Sequence, residues 1–194
     1  VDVLIIGAGI SGVGAAYHLQ DQYPEKSFMV LEKFASFGGT WLTHTYPGIR
    51  SDSDLYTFGY RFKPWIGKPI ATADKILAYM GEVIEENDLA RYIRYHHAIA
   101  TAEWSSGENR WTLNGTRTDP ETGAVEPVTF TSNFLWMCQG YYRHERGYTP
   151  DWPGMADFEG EIVHPQTWPS DIDLSGKQVL VIGSGATAAT LVPA

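Results

Sequence analysis

The chain has 194 residues, 43% of them apolar and 19% charged, which is enough apolar material for a core and too little charge for a disordered chain. Lys and Arg number 14 against 23 Asp and Glu, a formal net charge of −9. That balance argues against nucleic acid or an anionic membrane surface, because both call for clustered cations. The single cysteine, Cys138, excludes a disulfide framework, a dithiol redox pair and a cysteine-rich zinc site. No apolar run approaches the ~18 residues of a membrane span, and the opening residues lack the pattern of a signal peptide, so a cytoplasmic protein without an integral membrane segment is expected. The chain opens at Val1 directly on a strand pattern and closes at Ala194 just inside a helical one, so a piece of a longer protein is expected.

Residues 2–6 (DVLII) form a short apolar run that ends in Gly7, Gly9 and Gly12, the pattern of a buried strand entering a tight turn. Ile10, Val13, Ala16 and Leu19 then recur at helical spacing to about residue 20, and residues 27–31 (SFMVL) form a second strand with Glu32 at its end. Strand, glycine turn, helix and strand within about thirty residues make a βαβ unit. Residues 35–71 are rich in Gly, Pro, Ser and aromatics without a sustained period, and read as a long functional loop. An amphipathic helix is expected at 73–86, with Thr72 as its cap and Ile76, Leu77, Met80, Val83 and Ile84 on its inner face. Strands are expected near 98–104, 110–113 and 128–131, joined by turns at 105–109 and 114–124, as a small antiparallel sheet. Residues 133–139 (NFLWMCQ) read as a buried strand ending at Gly140, 141–169 as an aromatic, proline-rich connector, and 179–182 (VLVI) as a last strand before Gly183 and Gly185.

The hexad Gly7-Ala8-Gly9-Ile10-Ser11-Gly12 follows a strand and opens a helix, as a dinucleotide site requires. Gly7 allows the turn, Gly9 lets a pyrophosphate approach the backbone, and Gly12 lets the helix pack against the sheet. Glu32 lies twenty positions after Gly12, where a carboxylate accepts both ribose hydroxyls and disfavours a 2′-phosphate. These residues alone leave FAD and NAD both open. Farther on stand Gly38-Gly39-Thr40-Trp41 and Tyr46-Pro47-Gly48-Ile49-Arg50-Ser51-Asp52, then Ser53-Asp54-Leu55-Tyr56. With these stretches the sequence resembles the class B flavoprotein monooxygenases, the group containing the Baeyer–Villiger enzymes. The run at 51–56 is most similar to the ethionamide-activating branch. The resemblance implies that Gly39, Thr40, Trp41 and Asp52 lie by the flavin ring. It also implies that Arg50, Ser51 and Asp52 lie where nicotinamide is held, and that Ile99 and Gly140 contact FAD through their main chains.

Phe158-x-Gly160-x-x-x-His164-x-x-x-Trp168-Pro169 is similar to the long fingerprint of Baeyer–Villiger monooxygenases at every fixed position. By that likeness it lies on the link between an FAD domain and an NADP domain, its aromatics anchoring the link. Trp168 argues against the N- and S-oxidising relatives. Gly183-Ser184-Gly185-Ala186-Thr187-Ala188 repeats the strand–turn–helix pattern with Ala last, an accepted variant. The resemblance makes it the NADPH pyrophosphate turn.

The expected fold class is α/β: a Rossmann-like, three-layer FAD-binding fold with a parallel sheet and a small antiparallel insertion, followed by the start of a second Rossmann-like domain. The boundaries read 1–150 for the FAD-binding domain, 151–176 for the linker and 177–194 for the start of the NADP-binding domain. The implied activity is a flavin-dependent NADPH monooxygenase inserting one atom of O2 beside a ketone carbonyl, or onto the sulfur of a sulfide or thioamide. Its main catalytic arginine is expected beyond Ala194, supported by Asp52. The alternatives are a non-catalytic FAD-binding piece and an N- or S-oxidising flavin enzyme. The six histidines show no metal-ligand spacing, and Ser184 lacks the nucleophile-elbow pattern.

Overall fold

The computed structural model describes residues 1–194. In chain order the elements are β1 (Val3–Ile6), α1 (Ile10–Gln22), β2 (Phe28–Leu31), α2 (Thr40–Thr43), α3 (Leu55–Phe58), α4 (Ala73–Glu86), β3 (Ile93–Arg94), β4 (His97–Ser105), β5 (Arg110–Thr118), β6 (Val125–Ser132), β7 (Phe134–Met137) and α5 (Ala186–Leu191). Short 3₁₀ turns lie at Leu89–Tyr92, Met155–Asp157 and Pro165–Thr167. The chain divides into two compact units, one of Val1–Leu42 with Leu77–Gly140 and the other of Thr43–Ile76 with Tyr141–Ala194.

In the first unit, β1 is parallel to β2 and to β7, and β2 to β3, giving the order β3-β2-β1-β7. The expected βαβ unit is therefore present, and the order reverses beside β1. Open parallel sheets bind ligands at such a switch point, outside the carboxyl ends of the strands. Both faces of β1 are covered, with Leu4 and Ile5 fully buried, so its run is apolar throughout rather than alternating. Val13, Ala15, Ala16 and Leu19 of α1 are buried, and α1 packs on β1 and β2. The separate antiparallel sheet, β4-β5-β6, also meets the parallel sheet, and its Leu113 forms a core with Leu4 and Leu31. Helix, parallel sheet and antiparallel sheet make the three expected layers.

Most of the α4 face is buried as the periodicity implies, namely Ile76, Met80, Val83 and Ile84, while Leu77 is half-buried. The Thr72 carbonyl accepts from the amides of Lys75 and Ile76 at 3.1 Å each.

Several expectations change. The long loop carries two one-turn helices; Asp54 caps α3, its Oδ1 accepting from the Thr57 amide at 2.9 Å. The strands of the small sheet are longer than the apolar residues suggest, because β5 runs to Thr118 and β6 starts at Val125. Only the tip turns, tied by the Asp119 carboxylate, which accepts from the Thr122 amide at 2.8 Å and its hydroxyl at 2.9 Å. Pro127 sits inside β6, which is tolerated because β6 is an edge strand. Residues 179–182 are not a strand, and Leu180 is 84% exposed. A strand exists only through hydrogen bonds to a neighbour, and the 194 residues place none beside this run.

Candidate nucleotide-binding site

Two of the three hexad glycines are required by the protein itself. Gly7 has φ +101°, and a Cβ there would come within 2.7 Å of the Cys138 carbonyl oxygen. A Cβ at Gly12, in the first turn of α1, would overlap the Gly7 carbonyl oxygen. Gly9 differs. Its φ of −73° suits any residue, and a Cβ would meet only the Gly39 Cα, at an ordinary 3.7 Å. Packing leaves Gly9 open to alanine, so the glycine is explained by room in front of the helix. Helix geometry leaves the opening amides without intrahelical acceptors, no side chain caps α1, and no acidic residue lies in its first turn. Ile10 opens the helix half-buried and Ser11 is exposed. A helix start without a side-chain cap or a first-turn acid fits an anionic phosphate group.

Glu32 and the Gly-Gly stretch converge on the same turn. Glu32, only 5% exposed, accepts from the Ala8 amide through Oε2 at 2.7 Å and from the Phe34 amide through Oε1 at 2.9 Å. The Gly38 amide in turn donates to the Ala8 carbonyl at 3.0 Å. Both sides of the Ala8 residue are thus held, by the acid at the end of β2 and by the glycine before α2. Gly38 has φ +131° and Gly39 φ +55°, conformations that favour glycine, and a Cβ on Gly39 would lie 3.2 Å from the Gly9 Cα. Thr40 and Trp41, both half-buried, follow on α2. The structure therefore brings together Gly7, Gly9, Gly12, Glu32, Gly39, Thr40 and Trp41 within the first unit.

Sequence reasoning assigned Glu32 to ribose alone and missed its structural bonds, which the residue type does not reveal. It also missed Tyr95, half-buried near Glu32, whose hydroxyl pKa is raised first by burial and then by the Glu32 charge. Ile99 lies on β4, the edge of its sheet, at a bulge between Ile99 and Thr101. Such bulges re-aim a strand. Gly140 follows β7 with φ +72° and open space at its Cβ position. Burial pushes the thiol of neighbouring Cys138 up to about 11.

In the second unit, Ser51 is buried and its amide donates to the Ala71 carbonyl at 2.9 Å, while Arg50 bridges Thr72. Arg50 Nη2 donates to the Ala189 carbonyl of α5 at 3.3 Å. Gly48, at φ +75°, has no room for a Cβ beside the Thr190 carbonyl. The Pro-Gly-Ile-Arg stretch is thereby docked on α5. Asp52 is exposed on the adjoining bend, with the Ser53 hydroxyl 3.4 Å from its Oδ1.

Gly183 and Gly185 lead into α5 with φ +122° at Gly183 and φ −77°, ψ −173° at Gly185. Gly7 and Gly9 lead into α1 with φ +101° at Gly7 and φ −73°, ψ −174° at Gly9. The second hexad thus adopts the backbone turn of the first, although no strand precedes it. Ser184 is exposed there, and Ala186, Thr187 and Ala188 form the first turn of α5.

His164 caps the turn at Pro165–Thr167, its Nδ1 accepting from the Gln166 amide at 3.1 Å. A Cβ on Gly147 would overlap the His164 ring, and one on Gly160 would come within 2.5 Å of the Phe158 ring. Trp168 and Pro169 are half-buried and Phe158 is 60% exposed. These contacts are those of a connector folded on itself.

Residues 5–64 match the NAD(P)-binding Rossmann-like domain family, and residues 69–193 match the flavin-binding monooxygenase-like family. The chain is 50% identical over 193 residues to the FAD-containing monooxygenase EthA of Mycolicibacterium smegmatis, covering 99% of this chain and 38% of that protein. It is 47% identical to the probable FAD-binding monooxygenase AlmA of an Acinetobacter species, covering all of this chain and 38% of that protein. Among solved structures, oxidized steroid monooxygenase bound to NADP matches with a TM-score of 0.78 and 32% identity, covering 99% of this chain and 36% of that one. Cyclohexanone-bound cyclohexanone monooxygenase matches with a TM-score of 0.77 and 27% identity, over 99% and 36%. The chain thus spans under two-fifths of the length of these relatives, and it belongs to the flavin-binding monooxygenase-like family.

Proposed function

We propose that this chain is the flavin cradle and the opening of the nicotinamide site of a Baeyer–Villiger-type monooxygenase. The observation that carries the reading is the convergence of the Gly7–Gly12 turn, Glu32 and Gly38-Gly39 on Ala8, in front of an uncapped α1. Gly9, Ile10, Ser11 and Gly12 present their backbone to the FAD pyrophosphate. The remaining lone pairs of the Glu32 carboxylate accept from the ribose hydroxyls. The main chain of Ile99 meets the adenine edge, and Gly140 closes over the phosphates. Gly39, Thr40 and Trp41 flank the flavin, where an indole covers a flat ring. Arg50, Ser51 and Asp52 flank the nicotinamide, and the turn of Gly183, Ser184, Gly185, Ala186, Thr187 and Ala188 takes the NADPH pyrophosphate.

In this reading residues 1–150 are the FAD-binding domain, 151–176 the linker and 177–194 the start of the NADP-binding domain. When bound, FAD supplies the activation of O2 and NADPH the two electrons. The balance is ketone plus O2, NADPH and a proton giving ester, NADP and water. The chain's own residues hold the reactants in register and exclude water, and Asp52 orients the cation that stabilises developing negative charge. Phe158, Gly160, His164, Trp168 and Pro169 set the path between the nucleotide sites.

The names of the similar steroid and cyclohexanone monooxygenases favour a ketone, as does Trp168; sulfur oxidation is the second reading. The test is NADPH oxidation by the protein that carries this chain, under isotopically labelled dioxygen, with a cyclic ketone and with a sulfide. One labelled oxygen in an ester is expected. Label only in sulfoxide selects the second reading, and NADPH-independent flavin binding without turnover contradicts both.

A further inference from the structure

Between Asp54 and Asp74 the chain carries no acidic residue, but it carries Arg61, Lys63 and Lys68, with Lys75 just beyond. A net charge of −9 over the whole chain hides this positive stretch. The same stretch holds Ile66, 93% exposed at the tip of the loop, Ile70 at 42% and Tyr56 at 60%. Ile66 thus stands between Lys63 and Lys68 in the sequence, an exposed aliphatic side chain with cations on either side.

The loop is built rather than slack. Its base is closed by the Leu55 amide donating to the Pro69 carbonyl at 2.7 Å. The Tyr56 hydroxyl donates to the Gly67 carbonyl at 2.6 Å, and the Trp65 indole donates to the Lys68 carbonyl at 2.9 Å. Tyr60 and Phe62 stack with ring centroids 4.9 Å apart. A loop held by its own aromatic side chains leaves Ile66 exposed, and little ordering entropy remains to be lost on docking.

We infer that the loop at residues 61–70 docks this protein on an anionic lipid bilayer, with Ile66 inserted at the level of the headgroups and Arg61 and Lys68 against lipid phosphates. Aromatic and aliphatic groups interleaved with cations match a bilayer interface, where amphipathic rings sit at the headgroups and basic residues meet the surface potential. An apolar protein groove would take Ile66 without needing cations on either side of it. A polyanion would take the cations without needing Ile66. No helix here is long and apolar enough to cross a membrane, and attachment through this loop is of the peripheral, reversible kind.

The test is co-sedimentation of the FAD-loaded protein with phosphatidylcholine vesicles, with and without phosphatidylglycerol, for the wild type, Ile66→Asp and the pair Arg61→Gln/Lys68→Gln. Flavin absorbance reports that each variant remains folded. Sedimentation with the anionic vesicles only, weakening as salt is raised, is expected. A cation at such a surface changes partitioning roughly fivefold, so the double variant loses roughly twenty-fivefold, and Ile66→Asp abolishes binding. Equal binding to both vesicle types, binding unchanged in the variants, or no sedimentation at all overturns the inference. So does self-association through Ile66 in place of vesicle binding.

Discussion

The Glu32 carboxylate and the Ala8 amide meet at 2.7 Å, which ties the acid at the end of β2 to the second residue of the glycine hexad. Its other oxygen holds the Phe34 amide at 2.9 Å. A glutamine can offer only one acceptor, so Glu32→Gln turns its NH2 towards a backbone donor. Leaving a buried polar group unsatisfied costs about 1–3 kcal/mol. Glu32→Gln is expected to lower the unfolding free energy by that amount, read as a lower urea midpoint, and to weaken FAD binding; unchanged stability would show that the bonds to Ala8 and Phe34 are incidental.

Gly9 and Gly12 separate binding from folding. Gly12→Ala forces a methyl into the Gly7 carbonyl and is expected to cost about 1–3 kcal/mol or more, read as a lowered Tm of the apoprotein. Gly9→Ala meets only a 3.7 Å contact, so the apoprotein keeps its Tm while FAD affinity falls. Equal losses of Tm in the two variants would contradict the assignment of Gly9 to ligand approach.

The sequence makes the first hexad legible because three features coincide there: a strand, glycines at fixed spacing and an acid after the next strand. Glycine spacing could not say which glycine serves packing. Gly7 and Gly12 are fixed by the Cys138 and Gly7 carbonyls, one of them far away in sequence. Helix α4 is legible because its period is sustained over 14 residues. Strand β3, with two residues, has no period to show. The run at 179–182 carries the composition of a strand, but composition cannot supply the neighbour that makes one. The extra length of β5 and β6, Asn114–Thr118 and Val125–Pro127, is mostly polar and carries no sustained apolar alternation, and only the Asp119 turn marks its end.

Cys138 gives a pH-dependent readout beside the hexad. Burial pushes its thiol up to about 11, above the usual thiol value, so the folded state holds the proton longer than the unfolded state does. The associated stability is complete below the unfolded value and falls as pH rises towards 11. Iodoacetamide labelling is expected to be slow at neutral pH and to accelerate only as pH approaches 11. Fast labelling at neutral pH would contradict the burial.

Arg50 clamps α5 through the Ala189 carbonyl at 3.3 Å, a cation at the carboxyl end of a short helix. Arg50→Met is expected to cost about 0.5–1.5 kcal/mol locally. The check is faster amide exchange across residues 186–192 with exchange in β1 unchanged.

The central claim is that the turn in front of α1 holds FAD, and the most direct measurement identifies the flavin released on denaturing the purified protein. Stoichiometric FAD from the wild type, and none from a folded Gly9→Val variant, is the expected result. FMN, or flavin retained by Gly9→Val, would contradict it.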